Sequence, residues 1–132
     1  NFDAHTHSLT KNRINTFINF KKINSKYSLI ARYIDGFINN RTISSKALSL
    51  GYKNKVDSSL IFDISLELPI SQYLQINNNS GDYDLKTSIG IINLFDEKAP
   101  RLYNAPDFSW DSRLHDPRGR MIRVNFQLIF NN

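Results

Sequence analysis

Cysteine is absent from the 132-residue chain, which excludes disulfides and thiolate metal centres and leaves the redox compartment open. No apolar run approaches the roughly 20 residues that a membrane helix needs, so a helical membrane protein is excluded as well. A membrane strand needs only about 9 to 11 residues of alternation, and a missing hydropathy peak therefore says nothing against a β-barrel. Catalytic signatures are also missing: no G-x-S-x-G, P-loop, dinucleotide fingerprint or H-E-x-x-H occurs. Asp63 and Glu67 fall on one strand face, but at ~3.3 Å per residue they lie roughly 13 Å apart. Paired glycosidase carboxylates need about 5 to 9.5 Å. No enzyme activity is expected, and no cofactor is implied. His5 and His7 project to one side of an extended chain as two metal ligands would, yet no third ligand stands nearby. They are read as exposed loop histidines and no metal site is assigned.

The net charge is +5, with 17 Lys and Arg against 12 Asp and Glu. A basic balance invites a nucleic-acid partner. The cations are scattered, however, mainly near turns: Lys11, Arg13, Lys21, Lys22 and Lys26, then Arg41, Lys46, Lys53 and Lys55. No basic helix or aromatic RNA-binding strand gathers them, so nucleic acid is not expected. Cations at strand ends fit a solvated rim or anionic headgroups instead.

What the chain does have is alternation with period two. In residues 121–130, Ile122, Val124, Phe126, Leu128 and Phe130 share one face, and Met121, Arg123, Asn125, Gln127 and Ile129 share the other. Residues 58–68 set Leu60, Phe62, Ile64, Leu66 and Leu68 against Ile61, Asp63, Ser65 and Glu67. Residues 84–92 set Leu85, Thr87, Ile89 and Ile91 against Asp84, Lys86, Ser88 and Gly90. Residues 13–22 set Ile14, Thr16, Ile18 and Phe20 against Asn15, Phe17, Asn19 and Lys21. Residues 26–38 set Tyr27, Leu29, Ala31 and Tyr33 against Ser28, Ile30, Arg32 and Ile34. A short turn at Asn24–Ser25, a polar loop over 39–57, a turn-rich 69–83 and a long loop over 93–120 separate the strands, and Pro69 ends its ladder. The expectation is an all-β antiparallel meander of about five strands. A soluble antiparallel sandwich alternates in the same way, so alternation alone leaves both settings open.

Two motifs narrow the choice. NLFD at Asn93, Leu94, Phe95 and Asp96 precedes the long loop, and DPRGR at Asp116, Pro117, Arg118, Gly119 and Arg120 opens the last strand, which runs to Phe130. In this order and at this distance from the chain end they resemble the C-terminal signature of TonB-dependent outer-membrane receptors. The family pattern ends on its last aromatic, whereas Asn131 and Asn132 follow Phe130 here. The resemblance implies that residues 1–132 are the C-terminal segment of a 22-stranded barrel whose plug domain lies outside the chain. It implies a place in the outer membrane of a Gram-negative cell and the uptake of a scarce nutrient such as an iron–siderophore complex or a cobalamin. The TonB complex would act through the absent plug, and the barrel-assembly machinery would read Val124, Phe126, Leu128 and Phe130 as an assembly signal. With the C-terminus periplasmic in that family, loops 39–57 and 93–120 are external and the connections at 23–25 and 69–83 periplasmic.

Tyr103, Phe108 and Trp110 in the external loop are candidate ligand contacts, or else staples for that loop. Tyr27, Tyr33, Phe37, Tyr83, Trp110 and Phe130 are candidates for the interfacial aromatic girdles, while Phe17 and Phe62 fit a girdle or a core equally. Arg118 and Arg120 at the outer rim are candidates for the phosphates of lipopolysaccharide. The alternatives are another outer-membrane barrel, such as a porin or adhesin, or a soluble β-sandwich that binds carbohydrate or nucleic acid.

Overall fold

The computed structural model describes residues 10–38, 42–53, 55–73, 83–101 and 114–130, without the side chains of Tyr73 and Tyr83. Five long strands form one antiparallel sheet: β1 (Arg13–Lys22), β2 (Ser25–Ile34), β5 (Ser59–Pro69), β6 (Tyr83–Ile92) and β7 (Met121–Phe130). The strands lie side by side in chain order, β1-β2-β5-β6-β7, as an up-and-down meander. Between β2 and β5 the chain makes an excursion through β3 (Phe37–Ile38), the short helix α1 (Ser45–Ser49) and β4 (Lys55–Val56). Ser44 caps α1, its hydroxyl accepting from the Ala47 N–H at 3.2 Å. A further helical turn, α2 (Ile70–Tyr73), follows Pro69. The chain is therefore all-β and antiparallel; within the described residues the sheet does not close on itself.

Three local readings need correction. The second strand stops at Ile34 instead of running to Ile38, and Phe37–Ile38 pair with Lys55–Val56 in a separate two-stranded sheet. Gly36 allows the departure, because a Cβ there would stand 2.7 Å from the Val56 carbonyl oxygen. Phe37, expected at an interface, is consequently buried opposite Val56. The first hairpin turns at Ile23–Asn24, with Ile23 at φ 54°, and Ser25 already belongs to β2.

Register unites the faces that alternation had separated. Phe20 pairs with Tyr27, Tyr27 with Leu66, Leu66 with Ile89 and Ile89 with Val124, forming one row across five strands. Ile18, Leu29, Ile64, Ile91 and Ile122 form the next. Directly opposed residues point to the same side of a sheet, so every apolar column lies on one face. The other face carries rows such as Lys21, Lys26, Glu67, Ser88 and Asn125.

β6 is also displaced along β5. Ile64 pairs with Ile91 and Pro69 with Lys86, so Ser59–Asp63 project past β6 at one end and Tyr83–Leu85 pass β5 at the other. The offset is about four residues, roughly 13 Å.

Nothing described covers the apolar face. Phe126 is 71% exposed, Ile122 69% and Ile18 57%, and Phe20, Val124 and Leu128 are exposed with them. The buried apolar residues are few: Ile34, Phe37, Ala47, Val56 and Ile61. They sit in the excursion or on the charged face at the loop end of the sheet.

Candidate functional site

Two features stand out: the bare apolar face, and a buckle where the 93–120 loop leaves and rejoins the sheet. The apolar columns run from Leu60 to Leu68 on β5 and from Ile122 to Phe130 on β7, about 26 Å along each strand. With strands ~4.8 Å apart, the face covers roughly 600 Å², and removing it from water would contribute about 15 kcal/mol. That is as large as the whole net stability of a typical domain. Exposed patches on soluble monomers rarely exceed a few hundred Å².

Aromatic side chains border this face at both ends. At the turn end Phe20 and Tyr27 meet with ring centroids 5.9 Å apart, and Phe130 is exposed on the edge strand. At the loop end Phe95 packs edge-on against Phe62 at 5.6 Å with an interplanar angle of 86°. The Tyr33 hydroxyl donates to Asp35 Oδ1 at 3.3 Å. Phe62 thereby faces a partner at the rim, while Phe17 stands 64% exposed on the opposite face. Phe95 at this border was not singled out in sequence, because it follows the end of the alternating segment.

The buckle joins NLFD to DPRGR. Asn93 and Asp96 both adopt φ 56°, and Gly119 adopts φ 71°. The Asn93 side chain closes a ring on Glu97: its Oδ1 accepts from the Glu97 N–H at 2.8 Å while its Nδ2 donates to the Glu97 carbonyl at 2.9 Å. Asn93 is buried, and its own N–H donates to Asp63 Oδ1 at 2.9 Å. The same oxygen accepts from Arg32 Nη2 at 2.8 Å. The Leu94 N–H continues the β5 ladder onto the Phe62 carbonyl at 2.7 Å. Asp96 Oδ1 accepts from the Arg120 N–H at 2.9 Å, and Lys98 Nζ binds Asp96 Oδ2 at 2.7 Å. These bonds, the Lys98 one foremost, hold the Asp96 carboxyl below its ordinary range. A Cβ on Gly119 would come within 2.6 Å of Asp96 Oδ1, so glycine is required there by both space and φ.

Before the last strand, Asp116 caps the Asp-Pro-Arg turn by accepting from the Arg118 N–H at 3.1 Å. The Arg118 guanidinium grips the same carboxylate through Nε at 2.9 Å and Nη2 at 2.7 Å. This fork and the backbone bond lower the Asp116 carboxyl to about 2 and raise the Arg118 guanidinium. Arg118, expected to meet lipid phosphate, is therefore engaged within its own turn, and Arg120 contributes its backbone to the buckle.

Among the remaining expected site residues, Val124, Phe126, Leu128 and Phe130 stand exposed in a row on β7. Tyr103, Phe108, Trp110, His5 and His7 lie outside the described residues. Asp63 and Glu67 meet cations, not each other: Asp63 meets Arg32, and Glu67 meets Lys26 at 3.3 Å. No group of three or more metal-ligating side chains occurs among the described residues, and no described helix is long and apolar enough to cross a membrane.

In comparisons with known proteins, no family model, no curated protein and no solved structure matches this chain.

Proposed function

We propose that the sheet is a stretch of outer-membrane β-barrel wall and that the chain serves a TonB-dependent transporter importing a scarce nutrient such as an iron–siderophore complex or a cobalamin. The observation that carries the membrane reading is the bare apolar face. Five strands in register present one largely apolar surface, broken only by Thr16 and Thr87 within the rows and by Lys22 and Ser25 at the turn end, with nothing described across it, and put their carboxylates and arginines on the other side. Lipid hydrocarbon is the partner such a face fits, since barrel strands alternate apolar outward and polar inward. The columns are about 26 Å long along the strand. On strands tilted by about 40° as in a barrel, each column covers roughly 20 Å of the outer-membrane apolar band of about 25 Å. The flanking aromatics fit the girdles, and the four-residue offset between β5 and β6 is the kind of stagger that barrel closure requires.

The transporter reading rests on the motifs. NLFD and DPRGR lie 24 residues apart across the Asp96–Arg120 bond yet form one structural unit, so their joint occurrence has a physical purpose: they hold both ends of an external loop against the rim. The unpaired edges of β1 and β7 would continue into neighbouring barrel strands, and the row ending at Phe130 would be the feature that the barrel-assembly machinery reads.

Because the chain has no cysteine, single cysteines can carry spin labels without a background. Labels at Leu60, Phe62, Ile64 and Leu66 should be reached by oxygen when the full chain is reconstituted in lipid vesicles. Labels at Ser65 and Glu67 should be reached by a water-soluble nickel chelate. Loss of the period of two, or a compact monomer in water with the Leu60–Leu66 positions shielded from both reagents, would overturn the membrane reading.

A further inference from the structure

We propose that the cleft between residues 114–118 and the charged face of β1, β2 and β5 binds a small soluble oxyanion, a carboxylate or phosphate borne on a compact apolar body. The cleft measures about 370 Å³ and is lined by Arg13, Asn15, Arg32, His115 and Arg118 on its polar side. Ile34, Ile61, Leu114 and Pro117 supply its apolar wall, and Asp116 completes it. A volume of this size lies in the lower range of small-ligand sites, roughly 300 to 1,000 Å³.

Arg13, Arg32 and Arg118 all line this space, and the acids near them are already committed. Asp116 is forked by Arg118, and Asp63 accepts from both Arg32 and the Asn93 N–H. Within the lining itself three arginines stand against one carboxylate, Asp116. That excess has donors to act through. Arg13 forms no ion pair with any described residue, and the Asn15 amide stands beside it on the same strand face. A planar or tetrahedral oxyanion accepts from several guanidinium N–H groups at once. The apolar wall selects a ligand with a hydrophobic part over a bare ion.

The site faces away from the apolar columns. Its ligand is therefore a solute and not a bilayer lipid, and the inference goes beyond the barrel reading because it holds whatever covers the other face. Phosphorus NMR of phenyl phosphate, titrated with the full chain in a non-ionic detergent at low salt, tests it. Saturable binding in the submillimolar range is expected, with inorganic phosphate several-fold weaker for want of the apolar contact. Arg13→Gln and Asn15→Asp should each weaken phenyl phosphate about tenfold, as loss of a charged hydrogen bond or an added like charge does. Lys22→Gln, at the far end of β1, should leave binding unchanged and serves as the control for non-specific attraction. If one variant fails to fold, judged by circular dichroism, the other still decides. No saturation by about 10 mM, or equal losses for Arg13→Gln and Lys22→Gln, overturns the site. Competition by phosphatidylglycerol vesicles, but not by inorganic phosphate, overturns the choice of a soluble ligand.

Discussion

On the apolar face Ile18, Ile122 and Phe126 are each more than half exposed, whereas Ile34, Ser59 and Ile61 are buried on the face that carries Arg32, Asp63 and Glu67. A protein folded for water does the reverse, burying its apolar face and wetting its charged one. The charged face is covered at its loop end by Leu114–Arg118 and by the buckle, so Arg32 and Asp63 are paired and Ile34 and Ile61 are enclosed there. The other face, with about 15 kcal/mol of potential burial, has no cover from the described chain. The difference is that the described chain covers the charged face at its loop end and leaves the apolar face bare.

The largest effect should come from putting a charge on the uncovered face. In vesicles, Ile64→Arg should destabilise the inserted chain by about 2 to 4 kcal/mol, while Ser65→Arg, one residue on and facing the other way, should stay within about 0.5 kcal/mol. Urea titration in vesicles measures both. Equal small effects would mean that Ile64 faces water and would remove the distinction between the faces.

The buckle should give the next largest effect. Gly119→Ala forces a left-handed backbone onto a residue with a Cβ, at a cost of about 1 to 3 kcal/mol. Asn93→Gly keeps the left-handed φ but deletes both bonds to Glu97, with a comparable loss of roughly 1 to 3 kcal/mol. If the buckle serves the loop alone, both variants should increase proteolysis within 93–120 while the strand signal in circular dichroism stays unchanged.

The smallest effect sharpens the account of the charged side. The folded Asp116 carboxyl lies at about 2, below its ordinary 3.8. The ionised form is therefore favoured by folding. Its contribution is complete above about pH 4 and fades as the pH falls toward about 2. The pair with Arg118 is largely solvated, so after screening it is worth roughly 0.5 kcal/mol. Asp116→Asn should lower the urea midpoint slightly at pH 6, and the difference should shrink as the pH falls through about 2.

Alternation made the strands legible. Residues 13–22 and 121–130 read as strands in sequence and are strands in the structure, and 59–69 and 83–92 shift by a residue or so. The end of β2 was missed in sequence, although Asp35–Gly36 is a local turn signal that separates Phe37–Ile38 from the run before it. What ends β2 is the approach of Gly36 to Val56, 20 residues further on. The arginine cleft was illegible: Arg13, Arg32 and Arg118 are far apart in sequence and meet only because β1 pairs with β2 and the last loop returns over both. NLFD and DPRGR were noticed as separate motifs, but their bond is a tertiary fact.

The sequence by itself determined which side chains share a face, because a strand places neighbours on opposite sides whatever it pairs with. Only the tertiary structure decided that the five apolar faces coincide, that Asp63 holds Arg32 and Asn93 together, and that Asp96 closes on Arg120. Those outcomes depend on register and on loop return, and a slip of one residue in pairing would have turned each strand's apolar face to the other side.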